Sequence, residues 1–370
     1  MAQAETTELH LATATGYTTR TILCNPVRKA AASEIPVIDV SAIFSDSLAA
    51  RQAVAREIHN AARNNGFFYI ENHGMSSRVI DQAYCACLSF FRQDMNIKNR
   101  TDANNPESFN NGYRAPDTQR INANEGIDLL ESYAVGYDPR IGPSITNPSN
   151  IPAQAAQHYA PGGHPWEHTG NVPYFKNAIT SYFQECLKLA RSLTRVFALS
   201  LNLAEDFFDD KVKYPEASFE LNYYPTLEVD SQMQGSEDAS VRLSIGSHTD
   251  WQLFTILWQD KVGGLQVLTK NGQWIHAPPL DGTLVVNVAD YLQRMTNDKY
   301  VSAVHRARNI SGRERVSIPF FWGFGLSESC GVLDSCLEEG EERKYEEIKC
   351  LDWLNLRTSY MLDIGRDRKI

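Results

Sequence analysis

The sequence has no long apolar run. No stretch of its 370 residues approaches the roughly 20 apolar residues that a membrane-spanning helix needs. The amino-terminal segment MAQAETTELHLATATGYTTR lacks the apolar core of a secretory signal, and GRDRKI at the other end is not a peroxisomal signal. We therefore expect a cytoplasmic protein that does not interact with a membrane.

Positive charge is scarce as well. Lys and Arg total 35 against 45 Asp and Glu, which gives a formal net charge of −10. No part of the chain concentrates basic residues into a stripe, which is the usual electrostatic signature of a nucleic-acid-binding surface. The charge balance therefore argues against nucleic acid and anionic membranes as partners.

Cysteines are few and widely spaced. The seven stand at positions 24, 85, 87, 186, 330, 336 and 350, and only Cys85 and Cys87 are close together. Their C-x-C spacing is not that of a usual zinc-binding pair. We expect reduced thiols, as in an intracellular protein.

The first half of the chain alternates strands with amphipathic helices. After a polar, partly ordered lead-in over residues 1–33, the pattern predicts two strand–helix pairs, at 34–43 and 47–66 and at 67–74 and 76–93. Gly66 is expected to end the first helix, and Ser76 or Ser77 to cap the second.

The composition then changes twice. Six prolines between 139 and 165 predict a long irregular excursion, and the apolar spacing over 173–203 predicts one helix about 40 Å long. From 217 onward, short apolar segments recur between turn signals such as Asn271-Gly272. They favour an antiparallel sandwich or barrel of the jelly-roll type and a mixed α+β architecture. The charged run at 338–349 is most simply the solvated face of a helix.

His248 and Asp250 stand two residues apart at the start of the apolar segment GSHTDWQLFTILW. Residues i and i+2 of a strand face the same side, so both side chains are predicted to enter one cavity. A buried carboxylate needs a cation nearby. With His305 they would form the two-histidine, one-carboxylate set that binds non-haem Fe(II) and leaves positions open. Alternatively, His248 and Asp250 only hydrogen-bond to each other.

Two further pairs have the same spacing. Arg315 and Ser317 precede the apolar segment IPFFWGF, and a guanidinium beside a hydroxyl suits a carboxylate. An internal ion pair with a core Asp or Glu would also explain Arg315. Asn222 and Tyr224 in ELNYYP could donate to a second carboxylate, or could simply belong to a tyrosine-rich strand that ends at Pro225.

Together these motifs resemble the isopenicillin-N-synthase-like branch of the 2-oxoglutarate- and Fe(II)-dependent dioxygenases. The later part of the chain contributes HTD at 248–250, His305, RVS at 315–317 and NYYP at 222–225. The earlier part contributes IPVIDVS at 35–41, NNGFFYIENHGM at 64–75 and DLLESYAVG at 128–136. The resemblance covers roughly residues 34–327.

The resemblance implies a distorted double-stranded β-helix, or jelly roll, with a helical amino-terminal module and the long helix as an external support. It divides the chain into the lead-in (1–33), the amino-terminal module (34–150), the Pro-rich loop with the long helix (151–216), the catalytic core (217–327) and a helical carboxyl-terminal extension (328–370).

The resemblance also implies roles for single residues. The iron ligands, which are the catalytic residues, would be His248, Asp250 and His305. The residues that bind 2-oxoglutarate would be Arg315 and Ser317 at its distal carboxylate, assisted by Tyr224 and Asn222.

The implied cofactors are Fe(II), 2-oxoglutarate as co-substrate, and O₂. Oxidative decarboxylation of 2-oxoglutarate to succinate would accompany hydroxylation, desaturation or ring modification of a small organic molecule in secondary-metabolite biosynthesis. The aromatic residues within 319–324 favour an apolar or ring-bearing substrate. Three alternatives stay open: an Fe(II) oxidase of this fold that does not use 2-oxoglutarate, a non-catalytic small-molecule-binding protein, and a structural zinc protein.

The chain departs from the family pattern at Glu220, where Arg is more frequent, and at Leu130, where Lys is usual. We expect neither residue at the metal site. Arg114 is expected in a loop, where it could bind an acidic substrate or simply be solvated. An acidic insert at 227–242 could form a surface loop or part of the entrance.

Overall fold

A computed structural model describes residues 5–104, 110–122, 124–139, 151–159, 164–226 and 244–366. The acidic insert predicted at 227–242, and much of the Pro-rich excursion, lie outside these residues. None of the helices in the described ranges is long and apolar enough to cross a bilayer. All seven cysteines are described, and all are free thiols.

The strands are short, with the longest covering nine residues. In chain order they are β1 (Thr6–Thr13), β2 (Gly16–Leu23), β3 (Arg28–Lys29), β4 (Val37–Asp39), β5 (Phe67–Glu71), β6 (Gly112–Arg114), β7 (Glu131–Gly136), β8 (Glu216–Tyr224), β9 (Ile245–His248), β10 (Phe254–Gln259), β11 (Leu265–Leu268), β12 (Trp274–His276), β13 (Thr283–Val288), β14 (His305–Ala307), β15 (Arg315–Gly323), β16 (Ser329–Cys330) and β17 (Ile348–Lys349).

The helices are α1 (Leu48–Asn64), α2 (Ser77–Phe91), α3 (Met95–Lys98), α4 (Ala153–Ala156), α5 (Phe175–Ser200), α6 (Asp290–Met295) and α7 (Cys350–Arg366). Single 3₁₀ turns cover Ser41–Phe44, Asn99–Thr101, Trp166–Thr169, Asp210–Val212 and Asp334–Cys336. The Ser47 hydroxyl accepts from the Ala50 amide at the start of α1. Ser76 is at the cap position of α2, but its side chain makes no capping bond there.

Two sheets form the body of the protein. The larger has the strand order β4-β5-β13-β10-β15-β8-β7-β6, and the smaller has the order β3-β12-β11-β14-β9. A buried apolar cluster joins them, with Tyr69 and Val285 from the larger sheet and Val267 and Ile275 from the smaller. The two sheets therefore face each other across a shared core, as expected for a jelly roll.

The helices cover the outer face of the larger sheet. The long helix α5 has 26 residues, or about 39 Å at 1.5 Å per residue, in agreement with the predicted helix. Its buried stripe includes Ile179, Phe183 and Leu193. The indole nitrogen of Trp322 in β15 donates to the Thr194 hydroxyl of α5 at 2.8 Å. The helix is therefore both an apolar and a polar support for the sheet that carries Arg315.

The amino-terminal lead-in forms more structure than the sequence analysis anticipated. Strands β1 and β2 pair over their whole length as an antiparallel hairpin. Leu9 and Leu11 are buried in a cluster with Trp274 and Val304. The hairpin thus packs against the smaller sheet, which supplies the apolar contacts that its own polar residues could not.

The charged run at 338–349 is not helical, contrary to our expectation. It is a turn-rich segment that ends in β17, and the carboxyl-terminal helix α7 begins only at Cys350. Gly340 has φ +80°, a conformation that an α-helix does not use. The Asn297 side-chain amide donates to the Glu341 carboxylate at 2.8 Å, and the side-chain oxygen of Asn297 accepts from the Lys344 backbone amide. Asn297 thus gives the Lys344 amide the hydrogen bond that it would have made inside a helix.

Gly66 ends α1 as predicted, at a turn that is too tight for a larger residue. Its φ is +69°, and a Cβ atom would lie 1.8 Å from the Val301 carbonyl oxygen. Left-handed backbone costs a side-chain-bearing residue about 1–2 kcal/mol, and overpacking about 1–3 kcal/mol more. We expect Gly66→Ala to destabilise the fold by about 2–5 kcal/mol in urea unfolding. Gly282→Ala is the matched control, since Gly282 has φ +75° but open space around it. Equal losses of stability in both variants would contradict the contribution that we assign to the clash with the Val301 carbonyl.

Candidate metal centre and active site

The three predicted ligands meet where the chain passes from one sheet to the other. His248 is the last residue of β9, and His305 is the first residue of β14; the two are paired in register. Asp250 lies in the link 249–253, after which β10 joins the larger sheet. The segment GSHTDWQLFTILW is therefore two strands rather than one, and the change of sheet brings the carboxylate beside the imidazoles.

The ligand atoms are close enough to share one ion. The Asp250 Oδ1 atom is 3.7 Å from Nε2 of His248 and 3.7 Å from Nε2 of His305. Nδ1 of His248 lies 2.8 Å from the Gly246 carbonyl, and Nδ1 of His305 lies 3.1 Å from the Ala303 carbonyl. A carbonyl only accepts, so each Nδ1 carries the proton and each Nε2 keeps a free lone pair.

The electrostatics favour the protonation states that a metal requires. Burial, together with the neighbouring His305, lowers the pKa of His248 to about 4, so the imidazole is neutral at neutral pH. Burial alone would raise the pKa of Asp250. The two imidazoles, with hydrogen bonds from Asn287 and Thr255, nevertheless lower the pKa of this carboxyl below its ordinary value. At neutral pH the set therefore includes a carboxylate at Asp250 and a neutral imidazole at His248.

Two residues that the sequence analysis missed orient Asp250. The Thr255 hydroxyl in β10 and the Asn287 amide in β13 both donate to Asp250 Oδ2, at 2.6 and 2.7 Å. These bonds occupy one carboxylate oxygen and leave Oδ1 facing the imidazoles. A sequence signal for these two residues existed, because each is a polar residue inside an otherwise apolar strand. Thr255 stands in FTILW and Asn287 in TLVVNV.

Asp128 supports the strand that carries His248. Its two carboxylate oxygens accept from the backbone amides of Gly246 and Ile121, both at 2.8 Å. Burial raises the pKa of Asp128 to about 6, and the two amide donors oppose this rise. Asp128 lay within a motif that carried the family resemblance, but the sequence alone gave it no role.

Arg315 is the first residue of β15 and is buried against the cavity that His248, Asp250 and His305, the triad, also line. Its guanidinium lies 4.5 Å from the centre of the Tyr224 ring, and Nη1 is 3.3 Å from the Ser317 hydroxyl. Its Nε has no hydrogen-bond partner among the residues that the structure describes. Asp260 accepts from the Val316 and Val262 amides, and no carboxylate in the described ranges forms an ion pair with Arg315. The internal ion pair weighed above is therefore not found there.

Tyr224 and Asn222 lie on β8, opposite Arg315 and Ser317 in register. The hydroxyls of Tyr224 and Ser317 are 3.2 Å apart and share a hydrogen bond. Asn222 is buried, and its Oδ1 has no hydrogen-bond partner in the described part of the chain. The structure thus brings all four predicted 2-oxoglutarate-binding residues to one wall of the cavity.

The residues of this site fit both an Fe(II) ion and 2-oxoglutarate. Within the described ranges, His248, Asp250 and His305 are the one group of three that could hold a metal, with ligand atoms all within 4.8 Å of one another. Bonds of about 2.0–2.2 Å to a central ion are compatible with such separations. The buried Arg315 guanidinium forms no ion pair with a carboxylate of the described ranges, and it supplies the cation that a dicarboxylate needs. The three candidate metal ligands and Arg315 line one cavity of about 120 Å³.

Both departures from the family pattern lie at this cavity, contrary to our expectation. Glu220 and Leu130 line it together with the triad. Arg114 belongs to strand β6 rather than to a loop, and its Nη1 lies 3.1 Å from the Glu220 carboxylate. The acidic residue in the position of a family arginine therefore has a basic partner from a neighbouring part of the sheet.

Glu220 also lines a second, larger cavity of about 510 Å³. Its other walls come from β6, β7, the inner face of β8 and the segment 325–328. Tyr137, Tyr159 and Tyr214 contribute aromatic rings to it. A volume of this size suits a small organic molecule, and the shared residue places it next to the metal cavity.

Glu216 gives the larger cavity a pH-sensitive group. Burial raises the pKa of its carboxyl from 4.5 to about 7, opposed by the Gln252 side chain. The folded protein therefore holds this proton more tightly than the unfolded chain, so stability falls as pH rises from about 4.5 to 7 and is level above. We expect Glu216→Gln to lose less thermal stability than the wild type between pH 5 and pH 8. The exposed Glu57→Gln is the control, and parallel losses in all three proteins would contradict the assignment.

Comparison with known protein families identifies two matching regions. Residues 215–323 match the 2OG-Fe(II) oxygenase superfamily. Residues 35–155 match the amino-terminal domain described as non-haem dioxygenase in morphine synthesis. The first region contains the triad and the four predicted 2-oxoglutarate-binding residues, and the second contains α1, α2 and β7.

Relatives are similar in sequence to this protein along most of its length. The 2-oxoglutarate-Fe(II) type oxidoreductase ppzC of Metarhizium rileyi is 56% identical over 361 residues, which is 98% of this chain and 96% of the relative. Isopenicillin N synthase of Streptomyces jumonjinensis is 30% identical over 83% of this chain and 89% of its own. The crystal structure of Neurospora crassa T7H with alpha-KG and thymine has a TM-score of 0.74 and 25% identity, and covers 89% of this chain and 97% of that one.

The fold and the site define a non-haem iron oxygenase of the jelly-roll class. The chain belongs to the 2-oxoglutarate–Fe(II) oxygenase superfamily. It is an oxidoreductase that uses Fe(II), 2-oxoglutarate and O₂. The domain boundaries given above stay predictions.

Proposed function

We propose that His248, Asp250 and His305 bind Fe(II) and that Arg315 with Ser317 binds the distal carboxylate of 2-oxoglutarate. The observation that carries this assignment is the Arg315 guanidinium, buried in the same cavity as the His-Asp-His group and without an ion-pair partner among the described residues. Asp260 interacts with it electrostatically but forms no ion pair with it there. A buried cation without a close counter-ion is costly, so the cavity favours an anion. Arg315 and Ser317 alone do not separate this reaction from the oxidase alternative, because oxidases of this fold can retain the pair; the relatives named for 2-oxoglutarate favour the 2-oxoglutarate-dependent reaction.

The protein's own residues prepare this reaction. Arg315 and the Ser317 hydroxyl hold the carboxylate by charge-assisted hydrogen bonds, and Tyr224 fixes the Ser317 hydroxyl from the other side. Leu257, Leu265 and Phe321 give the cavity apolar walls that exclude water. Bound Fe(II) and 2-oxoglutarate supply the oxidising chemistry with O₂, yielding succinate, CO₂ and an oxidised substrate.

We further propose that the substrate is a ring-bearing small molecule held in the larger cavity and reaching past Glu220 towards the triad. Phe321 faces the metal cavity, whereas its neighbours Phe320 and Trp322 are fully buried in the core. One ring of the predicted aromatic segment is thus available for stacking. The Arg114–Glu220 pair adds a polar feature to the shared wall, so a substrate with polar substituents on its ring fits better than a fully apolar one.

The test is the amount of product formed per succinate in the presence of ring-bearing candidates. A true substrate is expected to raise succinate formation above the substrate-free rate and to give product in a 1:1 ratio with it. Phe321→Ala is expected to lower that ratio while 2-oxoglutarate still binds. An unchanged ratio in Phe321→Ala for every accepted substrate would place the substrate elsewhere. Product formed without succinate would instead support the oxidase alternative.

We further propose that the reaction belongs to the biosynthesis of a secondary metabolite. The support is that one matching domain is described by morphine synthesis and one relative is named for isopenicillin N. In a producing organism, deletion of the gene is expected to accumulate an unoxidised precursor of such a metabolite. A deletion strain with an unchanged metabolite profile would contradict this role.

A further inference from the structure

The link between β9 and β10 is held by groups from outside the two sheets. The Trp251 carbonyl accepts from the indole nitrogen of Trp353 at 2.7 Å and from the Tyr291 amide at 3.1 Å. The Asp250 carbonyl accepts from the Asp290 amide at 2.9 Å. Because the link leaves one sheet and enters the other, these contacts replace the strand pairing that would otherwise fix its backbone.

Arg357 of helix α7 is the centre of this support. Its Nη2 is 3.2 Å from Asp290 Oδ2, and both groups are buried. The Thr249 hydroxyl, between two predicted metal ligands, donates to the same Asp290 oxygen at 2.9 Å. Nη2 also lies 3.4 Å from the Thr249 hydroxyl and 3.5 Å from its carbonyl. Arg357 therefore touches the link both directly and through Asp290.

The same guanidinium reaches the amino-terminal hairpin. Nη1 donates to the Thr13 carbonyl at 2.8 Å, and Nη2 to the Ala12 carbonyl at 3.2 Å. Strand β1 and helix α7 both lie outside the two regions that match family models, 35–155 and 215–323. The support is thus provided by terminal elements that the shared family domains do not include.

We propose that Arg357 and Trp353 are positioning residues for the metal centre, fixing the backbone of Thr249–Trp251 so that His248 and Asp250 present their ligand atoms to one ion. The inference rests on the proposed function, since it assumes these two residues as ligands. Groups that orient metal ligands typically change metal affinity or activity by 10- to 100-fold when removed. A buried ion pair such as Arg357–Asp290 contributes little net stability, so a role in geometry accounts for it better than a role in folding alone.

A purely structural role is the competing explanation, in which Arg357 only ties the two termini together. It predicts loss of stability without a specific loss of metal affinity. The experiment must therefore measure metal binding in folded, metal-free protein rather than turnover alone. Mn(II) is a suitable probe because it binds the same oxygen and nitrogen donors and does not start the reaction.

The experiment titrates full-length Arg357→Met, Arg357→Lys and Trp353→Phe with Mn(II) by calorimetry. The exposed Arg20→Met on the hairpin is the control. We expect Arg357→Met to weaken Mn(II) binding by 10- to 100-fold and Arg357→Lys to restore part of the loss. Trp353→Phe, which removes one donor, should weaken it by about 3- to 10-fold. The KM for 2-oxoglutarate should change less than the metal affinity in all of them, because Arg357 and Trp353 form their hydrogen bonds with the link and not with Arg315.

Folded variants with Mn(II) affinity within twofold of the wild type would overturn the inference. If Arg357→Met does not fold, Trp353→Phe decides by the same criterion. A wild-type protein that binds neither Mn(II) nor Fe(II) would overturn the proposed function together with the inference. Normal wild-type binding and unaffected variants would overturn the inference alone.

Discussion

Replacing Asp250 by alanine is expected to weaken Fe(II) binding by about 150- to 5,000-fold and to reduce turnover at micromolar Fe(II) to background. The carboxylate is the one anionic ligand in the group, and removing one partner of a buried charge interaction costs about 3–5 kcal/mol, which corresponds to that range. Thr255 and Asn287 would lose their acceptor as well. Calorimetric titration of the metal-free protein measures the loss.

The control for this prediction is Asp281→Ala, which removes an exposed carboxylate far from the site. It should bind Fe(II) like the wild type. Asp250→Ala protein that retains full Fe(II) affinity would mean that the ion lies elsewhere, and would remove Asp250 from the ligand set.

Replacing Arg315 by methionine should raise the KM for 2-oxoglutarate by about 30- to 5,000-fold with Fe(II) affinity nearly unchanged. Losing one partner of a buried, hydrogen-bonded charge pair costs about 2–5 kcal/mol, which gives this range. In the absence of 2-oxoglutarate the same substitution should leave thermal stability equal or higher, because an unpaired buried charge is replaced by an apolar side chain. Steady-state kinetics and thermal unfolding measure the two effects.

Arg114→Met is a matched control, since this arginine already has Glu220 as its partner. It should leave the KM for 2-oxoglutarate unchanged and lower stability by about 1 kcal/mol or less, as expected for a partly exposed ion pair. If Arg315→Met instead destabilised the protein strongly and left the KM alone, the guanidinium would be a structural group and the co-substrate would bind elsewhere.

The sequence was informative wherever a local pattern decides the outcome. The periodicity of 173–203 predicted α5, and the Asn271-Gly272 turn joins β11 and β12 as expected, with Gly272 at φ +80°. The i, i+2 spacing of Arg315 and Ser317 correctly placed them on one strand face. At the metal site, the structure brings the side chains of His248 and Asp250 together, but not through strand alternation, because Asp250 lies beyond the end of β9.

Features that depend on distant contacts could not be predicted in this way. The hairpin β1–β2 has only Leu9 and Leu11 as buried apolar residues in its first strand, and their burial depends on Trp274, far along the chain. The roles of Asp128 and Arg357 likewise depend on backbone groups brought to them by the fold. A charged run alone could not distinguish a helix from the loop at 338–349, although Gly340 was a local signal against the helix.

The most direct test of the metal centre is an anaerobic titration of the protein with Fe(II) followed by 2-oxoglutarate, observed by visible absorption. A charge-transfer band should appear only when both are present. It should be absent in His248→Ala and weakened in Arg315→Met at the same 2-oxoglutarate concentration. A wild-type protein that shows no band at saturating Fe(II) and 2-oxoglutarate, or a band that persists unchanged in His248→Ala, would contradict the assignment of this site.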